Sequence, residues 1–494
     1  MDNQKLPFNR GWVVLGAILI QLCLGAIYAW SVYTPALQLP TADQLAIQAA
    51  EEAPTPPPAP EIKVGKYGFS TSDTQWPFSI GLITFALVMV LAGNWQKKIG
   101  PQKVARTGGI VLGLGYILAG ILGETTLTQN LFIGLVGGAG IGLAYVCPIA
   151  VGVKWFPDKK GLITGLAVAG FGFGATIWVM LAKGIMSIHF PGLLSILHFS
   201  FCNDSGVQSV WFIYGIVYLI AVLIGSIWMV NPPDNYKPAG WEPPPPAKAA
   251  STGGIEFSQW DMLKTPQFYM IWFCFIAGAT AGLMVIGVIS LYGLDALMVK
   301  GMNYDGAKSV AAIAMGVFYA LFNGLGRIAW GMISDKIGRK MAIFLMCLIQ
   351  GLAMLSLFYI GTSAAGLWIM AALVGFNFGG NFALYPAATA DFFGNKNLGV
   401  NYGWMFTAYG VGGLVGPLLL AARFKDAANK LVEGLNDQLA AIVDKASPEA
   451  LDLMRQIAET RYGAWQAPFM IAGIASLVAA VVILITQKPR EASK

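Results

Sequence analysis

One arginine lies inside a strongly apolar stretch of the chain. Arg327 follows Phe322 and Asn323 and precedes Trp330. A charged side chain deep in such a stretch is costly to bury and is a functional candidate by default. Arginine stays protonated and presents a planar fork that matches a carboxylate through two parallel hydrogen bonds. Arg327 therefore predicts a binding site for a small organic anion. A structural ion pair, or a side chain that reaches the membrane interface, is the alternative interpretation.

The remaining residues offer little to an enzyme or to a metal ion. The two histidines, His189 and His198, lie near a predicted loop, and the five cysteines lack the paired spacing of a metal site. We find no catalytic or nucleotide-binding motif. The formal net charge of +6 comes from residues that form no stripe typical of nucleic-acid binding. We therefore predict no catalytic residue, no metal, no cofactor and no nucleic-acid partner.

The elements that position Arg327 are predicted to be membrane helices. Hydrophobic residues make up 56% of the 494 residues and charged residues 11%, against about 25% charged residues in a soluble domain. The apolar residues form segments of about 20 or more, the length that crosses a hydrocarbon core of roughly 30 Å. These features predict an all-α, polytopic membrane protein surrounded by lipid. Its twelve spans are predicted near residues 11–37, 77–96, 104–123, 129–153, 161–186, 208–230, 267–292, 309–333, 340–361, 365–390, 400–422 and 464–486.

A polar segment divides the twelve spans into two groups of six. Residues 231–266 contain a run of prolines, Pro243 to Pro246, that cannot belong to a spanning helix. We interpret this segment as a cytoplasmic linker. The chain is then an N-terminal six-helix bundle, residues 1–230, followed by a C-terminal six-helix bundle, residues 267–494.

Two insertions interrupt the bundles. A proline-rich one occupies about residues 40–70, and a charged one occupies about residues 423–462. Within the second, Ser447 is predicted to cap a helix that has Pro448 at its first position. We expect both insertions to lie outside the cytoplasm, and we expect the proline-rich one to contribute no chemistry.

The distribution of positive charge predicts the orientation. When the twelve predicted spans cross the membrane one after another, both termini lie on the same side. Most of the 31 lysines and arginines lie on that side. Because cytoplasmic loops carry the excess of positive residues, we place both termini in the cytoplasm. The first apolar segment is too long for a cleaved signal and should stay as helix 1. We expect a monomeric, multi-pass protein of the cell membrane.

Glycines repeat at a constant offset. Gly93 and Gly331 are separated by 238 residues, and so are Gly100 and Gly338. The same offset relates three further glycine pairs, Gly161 with Gly399, Gly172 with Gly410, and Gly174 with Gly412. Because the pairs occupy different loops and helices, duplication of a six-helix unit explains them most simply. The sequence thus predicts two pseudo-symmetric bundles.

The repeated loop carries a recognisable motif. Its second copy runs from Gly331 through Asp335, Lys336 and Gly338 to Arg339, and it resembles the signature G-x-x-x-D-[RK]-x-G-[RK] of the major facilitator superfamily. The first copy, which contains Gly93 and Gly100, departs from the signature because Lys97 stands where the aspartate belongs. The resemblance implies the major facilitator fold. It also implies a conformational latch formed by Gly331, Asp335, Lys336, Gly338, Arg339, Gly93 and Gly100.

A narrower resemblance follows. The segment from Trp155 through Gly161 to Gly174 resembles the signature between helices 4 and 5 of the oxalate/formate antiporter family, relatives of the monocarboxylate transporters. The segment from Gly25 to Tyr33 in helix 1 agrees with it. The resemblance implies that Arg327 binds the anion and that the cavity includes Tyr28, Tyr145, Asn323 and Phe378.

Helix 11 distinguishes between classes of anion. In oxalate carriers a lysine follows the Asn-Tyr-Gly segment and binds the second carboxylate, whereas the matching position here is Tyr409. A single embedded cation implies a single carboxylate, so we predict a carrier for a monocarboxylate such as lactate, pyruvate or formate. An oxalate/formate-type anion exchanger and a transporter-like sensor are the alternatives.

Proton coupling stays open at this point. Proton-coupled monocarboxylate transporters place an aspartate four residues before the arginine, where this chain has Asn323, which does not titrate. The acids nearest to spans, Glu124, Asp295 and Asp391, lie near helix ends. We therefore predict exchange, or symport in which no carboxylate of helix 8 carries the proton.

Overall fold

The structure is a computed structural model that describes residues 8–38, 67–157, 160–187, 206–233, 236–238, 256–394, 397–442 and 447–489. Within these ranges every regular element is a helix. Most of the proline-rich insertion, the centre of the linker, and the residues His189, His198 and Cys202 lie outside the described part.

Twelve helices of the described chain are long and apolar enough to span a membrane, as predicted. The principal helix of each span, in chain order, is α1, Gly11–Leu24; α2, Thr71–Ile99; α3, Pro101–Leu122; α4, Gly138–Trp155; α5, Lys160–Ser187; α6, Val207–Ser226; α7, Pro266–Met298; α8, Ala320–Ile337; α9, Arg339–Ile360; α10, Ala364–Phe393; α11, Leu398–Leu414; and α12, Gln466–Ile485. Shorter helical segments are Gly25–Val32 after α1, Thr34–Leu37, Thr126–Gln129 and Asn130–Gly137 before α4, Gln259–Leu263 before α7, Tyr304–Ile313 and Ala314–Tyr319 before α8, and Val415–Ala422 after α11.

The charged insertion folds as two helices, which we call the outer hairpin. They span Arg423–Ala441 and Pro448–Gly463 and pack against each other. Ser447 caps the second helix by accepting a hydrogen bond from the backbone N–H of Ala450 at 3.2 Å, with Pro448 at the first helical position, which confirms the predicted cap. The first helix directly continues the helical segment after α11, so it extends that span beyond its apolar part.

Other helix starts also follow from capping residues. Helix α2 begins at Thr71, several residues before the predicted position, because Ser70 and Asp73 form a reciprocal capping box. Helix α7 begins after Thr265, whose hydroxyl accepts from the N–H of Phe268, and Pro266 occupies its first position. Polar capping residues thus extend helices past the point where the apolar pattern stops.

The repeat predicted from the glycines is present in the backbone. Gly100 ends α2 with φ +89°, and Gly338 ends α8 with φ +85°, a conformation that favours glycine. A Cβ atom added at Gly172 of α5 would lie 2.9 Å from Cα of Gly324 on α8, and one added at Gly410 of α11 would lie 3.0 Å from Cβ of Ala86 on α2. Because Ala86 and Gly324 are themselves 238 residues apart, the two contacts are pseudo-symmetric equivalents.

The two halves therefore meet through two equivalent helix pairs, α5 with α8 and α2 with α11. We call the side on which residues 8 and 489 lie the terminal face and the other side the far face. On the terminal face, Gly93 packs against the backbone of Gly399. On the far face, Ser72 at the start of α2 donates both its N–H and its hydroxyl to the carboxylate of Asp426. The halves are therefore in contact at both faces.

Candidate functional site

Arg327 lies between the two halves and is fully buried. Its Nε donates a 3.0 Å hydrogen bond to Oδ1 of Asn323, one turn earlier on α8. Its Nη1 donates a 2.8 Å hydrogen bond to the backbone carbonyl of Val168, which belongs to α5 of the other half. The close approach of α5 and α8 at Gly172 and Gly324 brings that carbonyl within reach.

The charge of Arg327 is compensated by aromatic faces and not by an acid. Its guanidinium carbon lies 3.9 Å from the ring centre of Phe382 and 5.3 Å from that of Phe171, distances at which a ring attracts a cation. Among the residues that the structure describes, no aspartate or glutamate forms an ion pair with Arg327. Its Nη2 is buried without a hydrogen bond. Burial without an opposite charge leaves this site suited to an anion.

Two predicted site residues join the halves directly. Tyr409 of α11 donates a 2.9 Å hydrogen bond from its hydroxyl to the hydroxyl of Tyr28, which follows α1. Both side chains are almost fully buried. Tyr28 also packs edge-on against Phe171, at 4.9 Å between ring centres. The position that carries lysine in oxalate carriers is therefore occupied by a neutral donor bonded across the interface.

Tyr145 and Phe378 complete the predicted set. The ring of Tyr145 lies 5.5 Å from that of Phe171, and its buried hydroxyl has no hydrogen bond of normal geometry although it interacts electrostatically with Arg327. Phe378 lies 5.8 Å from Tyr28. The structure thus brings all six residues predicted to bind substrate into one cluster. Their role in binding stays a prediction.

Several residues of this cluster were missed by the sequence analysis. Phe171 and Phe382 face the guanidinium, and Phe85 packs 5.6 Å from Tyr409 and 5.0 Å from Tyr145. The internal repeat could have indicated Phe85 as a site residue. Phe85 precedes Asn323 by 238 residues and so occupies the equivalent turn of the first half. Phe382 lies one turn after Phe378 on α10, which also places it on the same helix face. The contribution of the Val168 carbonyl could not be predicted, since a backbone atom leaves no trace in sequence.

The predicted latch residues surround the turn between α8 and α9. Arg339 pairs with Asp335 at 2.6 Å and approaches Asp391 of α10 at 3.6 Å, so these charges join three helices of the same half. Lys336 is exposed, and Gly331 is buried. Among the latch glycines, Gly93 touches the opposite half, at Gly399. Whether these contacts act as a latch stays a prediction.

A buried ion pair anchors the outer hairpin. The ammonium of Lys425 bonds the carboxylate of Asp295, near the end of α7. The indole N–H of Trp465 donates a further hydrogen bond of 2.7 Å to the same carboxylate oxygen. This pair fixes the first helix of the hairpin, so that the neighbouring Asp426 reaches Ser72 of the other half.

Comparison with known proteins agrees with this architecture. The family model described as Major Facilitator Superfamily matches residues 12–417. A solved structure titled as a bacterial homologue of the human lysosomal transporter Spinster, in an inward-facing and unoccupied conformation, has a TM-score of 0.60 with 18% identity, covering 98% of this chain and 99% of that one. At that identity the likeness concerns the fold alone, and it confirms the fold predicted from the sequence.

The names of two relatives state a substrate. The Oxalate:formate antiporter of Oxalobacter formigenes is 24% identical over 416 residues, covering 83% of this chain and 84% of the relative. The Apicoplast pyruvate carrier 1 of Toxoplasma gondii is 25% identical over 456 residues and covers 81% of each chain. The similarity in both cases extends across both bundles.

Proposed function

The chain belongs to the Major Facilitator Superfamily, and from this premise we propose that it carries a small monocarboxylate of the lactate, pyruvate or formate type across a membrane by alternating access. The observation that carries the proposal is the buried Arg327, whose Nη2 has no hydrogen bond. Of the five N–H donors of a guanidinium, one on Nε bonds Asn323 and one on Nη1 bonds Val168, so Nη2 is the nitrogen that we propose a ligand engages. A carboxylate supplies the missing charge and acceptors together.

The surroundings of Arg327 favour one carboxylate over two. The rings of Phe171 and Phe382 flank the guanidinium, and the hydroxyls of Tyr28, Tyr145 and Tyr409 in the same cluster are neutral donors. A hydroxyl can bond a keto or hydroxyl oxygen of the substrate, but it does not neutralise a second negative charge. The relatives named for pyruvate and for oxalate and formate support the same class of small anion.

The mode of coupling is inferred from the charge of Arg327. A buried arginine without an anion is costly, so an unloaded carrier should return across the closed state slowly. We therefore favour exchange of one anion for another. Symport remains the alternative, with the proton carried by an acid at a helix end or by the substrate. An oxalate-type exchanger is the second candidate function, favoured by the antiporter relative and opposed by Tyr409. A transporter-like sensor is the third.

The setting of the carrier is part of the proposal. We place this multi-pass membrane protein in the cell membrane as a monomer, with the terminal face toward the cytoplasm. This orientation follows from the excess of lysine and arginine on that side. The far face, with the outer hairpin, then faces outward.

Transport assays in reconstituted vesicles test the proposal. Uptake of labelled pyruvate, lactate, formate and oxalate is measured with and without unlabelled substrate inside, and with and without a pH gradient. We expect pyruvate or lactate to accumulate faster than oxalate, and internal substrate to accelerate uptake. Accumulation driven by a pH gradient alone contradicts exchange. No uptake of any anion, in vesicles where the protein still binds pyruvate, indicates a sensor.

A further inference from the structure

We propose that a groove on the terminal face of the second half binds the headgroup of an anionic phospholipid. The groove has a volume of about 710 Å³ and lies where the turn between α8 and α9 meets the ends of α10 and α12. It is separate from Arg327, which is buried between the halves. Its lining residues are Ile337, Gly338, Arg339, Lys340, Met341, Asp391, Phe392, Leu484, Thr486, Gln487 and Lys488.

The charge of the groove is positive. Arg339, Lys340 and Lys488 line it together with a single acid, Asp391, which leaves a net charge of +2. The guanidinium of Arg339 is already engaged by Asp335 and Asp391. Neither Lys340 nor Lys488 forms an ion pair with the residues that the structure describes. Two ammonium groups are therefore available to a phosphate.

Lys488 lines the groove because α12 ends three residues before it. The helix stops at Ile485, and Thr486 adopts an extended conformation with φ −67° and ψ 124°. The hydroxyl of Thr486 donates to the carbonyl of Val482 at 2.8 Å, which fixes the exit from the helix. Residues 486–488 then line the groove together with the first turn of α9.

The apolar part of the groove suits acyl chains. Ile337, Met341 and Leu484 keep 43%, 44% and 40% of their surface exposed. In a membrane protein these side chains contact lipid, next to the ammonium groups at the edge of the hydrocarbon. Basic pockets between membrane helices are suited to anionic headgroups. A free phosphate would use the ammonium groups alone, whereas a phospholipid uses both parts, so we commit to the phospholipid.

The internal repeat provides a comparison within the same chain. The position in the first half equivalent to Lys340 is Gln102, whose side chain donates a 2.8 Å hydrogen bond to the carbonyl of Ile227 beyond α6. Arg106 bonds the hydroxyl of Ser226 in the same region. A neutral side chain thus bridges the corresponding helices in the first half. The second half thus has a lysine at the position where the first half has a neutral side chain that bonds the neighbouring helix.

Lipid binding to the full-length protein in detergent tests this inference. Retention of phosphatidylglycerol and of phosphatidylcholine with the same acyl chains is compared by native mass spectrometry and by the shift in denaturation temperature. We expect tighter binding of phosphatidylglycerol, and a loss of about fivefold for each of Lys340→Gln and Lys488→Gln. The matched control is Lys103→Gln, an exposed lysine near the equivalent turn of the first half, which should change the affinity less than twofold.

Three outcomes would overturn the inference. Equal affinity for the two lipids removes the role of charge, and an equal loss in Lys103→Gln makes the effect general to the surface. Glycerol phosphate that binds as tightly as phosphatidylglycerol would indicate a site for free anions. A variant counts as folded when its denaturation temperature without lipid equals that of the wild type.

Discussion

Arg327 is held by contacts that fix its plane without neutralising its charge. Asn323 and the carbonyl of Val168 orient two of its nitrogen atoms, while Phe171 and Phe382 flank the guanidinium. A neutral amide at position 323 orients the arginine and leaves its charge for the ligand. The proposed anion specificity is therefore set by single side chains around one cation.

Tyr409→Lys should shift preference toward dicarboxylates. The tyrosine hydroxyl now bonds Tyr28 across the interface, and a lysine at this position would place a second positive charge in the cluster around Arg327. We expect the ratio of oxalate to pyruvate affinity to rise at least tenfold, measured by stabilisation of the purified protein. Tyr409→Phe is the control, since it removes the hydroxyl without adding charge. No gain for oxalate in the lysine variant would refute the role assigned to position 409.

Asn323→Asp should make anion binding depend on pH. A carboxylate at this position would sit against Nε of Arg327 and compete with the substrate when ionised. Because the neighbouring arginine lowers the pKa of an aspartate, the competition persists at neutral pH and weakens as acid protonates the side chain. We expect weaker binding of pyruvate than in the wild type from pH 7.5 down to pH 5, and recovery only below about pH 4, the ordinary pKa of an aspartate, followed by titration calorimetry. Asn323→Gln is the uncharged control, and a flat profile in the aspartate variant would count against this geometry.

At the scale of helices, the pairs α5 with α8 and α2 with α11 form the surfaces that must separate. Glycines let these helices approach closely, at Gly172 against Gly324 and at Gly93 against Gly399. On the far face the contacts are polar, because Ser79 donates to the carbonyl of Gly413 at 2.9 Å in addition to the bond between Ser72 and Asp426. Short polar contacts of this kind can break and re-form without exposing a large apolar surface.

Cross-linking the far face should stop transport. Ser72→Cys with Asp426→Cys, in a Cys202→Ser background, puts two thiols where a hydrogen bond now joins the halves. The other four cysteines are buried and free, so they should not interfere. We expect oxidation to abolish uptake and a reductant to restore it. Each single cysteine variant is the control, and full activity of the cross-linked protein would contradict opening at this face.

The buried pair of Asp295 and Lys425 should stabilise the outer hairpin only as a pair. Removing one partner leaves an uncompensated charge and costs about 3–5 kcal/mol, whereas replacing both with apolar residues is often neutral. Asp295→Asn should therefore lower the denaturation temperature in detergent by several degrees. Asp295→Leu with Lys425→Met should recover most of that loss. If the double variant is as unstable as the sum of the single changes, the two charges do not interact as described.

At the scale of the whole molecule, much of the fold could be predicted from the sequence. The lengths of the apolar segments predicted twelve helices, because a helix needs a minimum length to cross a membrane. The glycine offset predicted two related halves, because certain backbone conformations and close helix contacts require glycine. Capping residues predicted the helix at Ser447. The start of α2 was predicted too late because its first turn is polar and is defined by the capping box at Ser70.

The candidate site could be predicted only where a side chain carries its own signal. Arg327 is conspicuous in an apolar helix, and the family resemblance pointed to Tyr28, Tyr145 and Tyr409. The phenylalanines that flank the arginine were missed, since phenylalanine is common in membrane helices and nothing marks those near a cation. The bond from Tyr409 to Tyr28 and the contact of Ser72 with Asp426 join residues more than 350 positions apart. Such contacts depend on how the halves dock, which local sequence does not encode.

The affinity of the Arg327→Lys variant for a monocarboxylate tests most directly whether Arg327 binds the anion. Lysine keeps the charge but replaces the planar fork with a point charge. We predict that pyruvate or lactate binds the variant at least tenfold more weakly than wild type, measured by titration calorimetry of monodisperse protein with an unchanged ligand-free denaturation temperature. Arg455→Lys, a change at an exposed arginine of the outer hairpin, should bind as wild type does. Equal affinity of Arg327→Lys and wild type would contradict the assignment of Arg327 as the anion-binding residue.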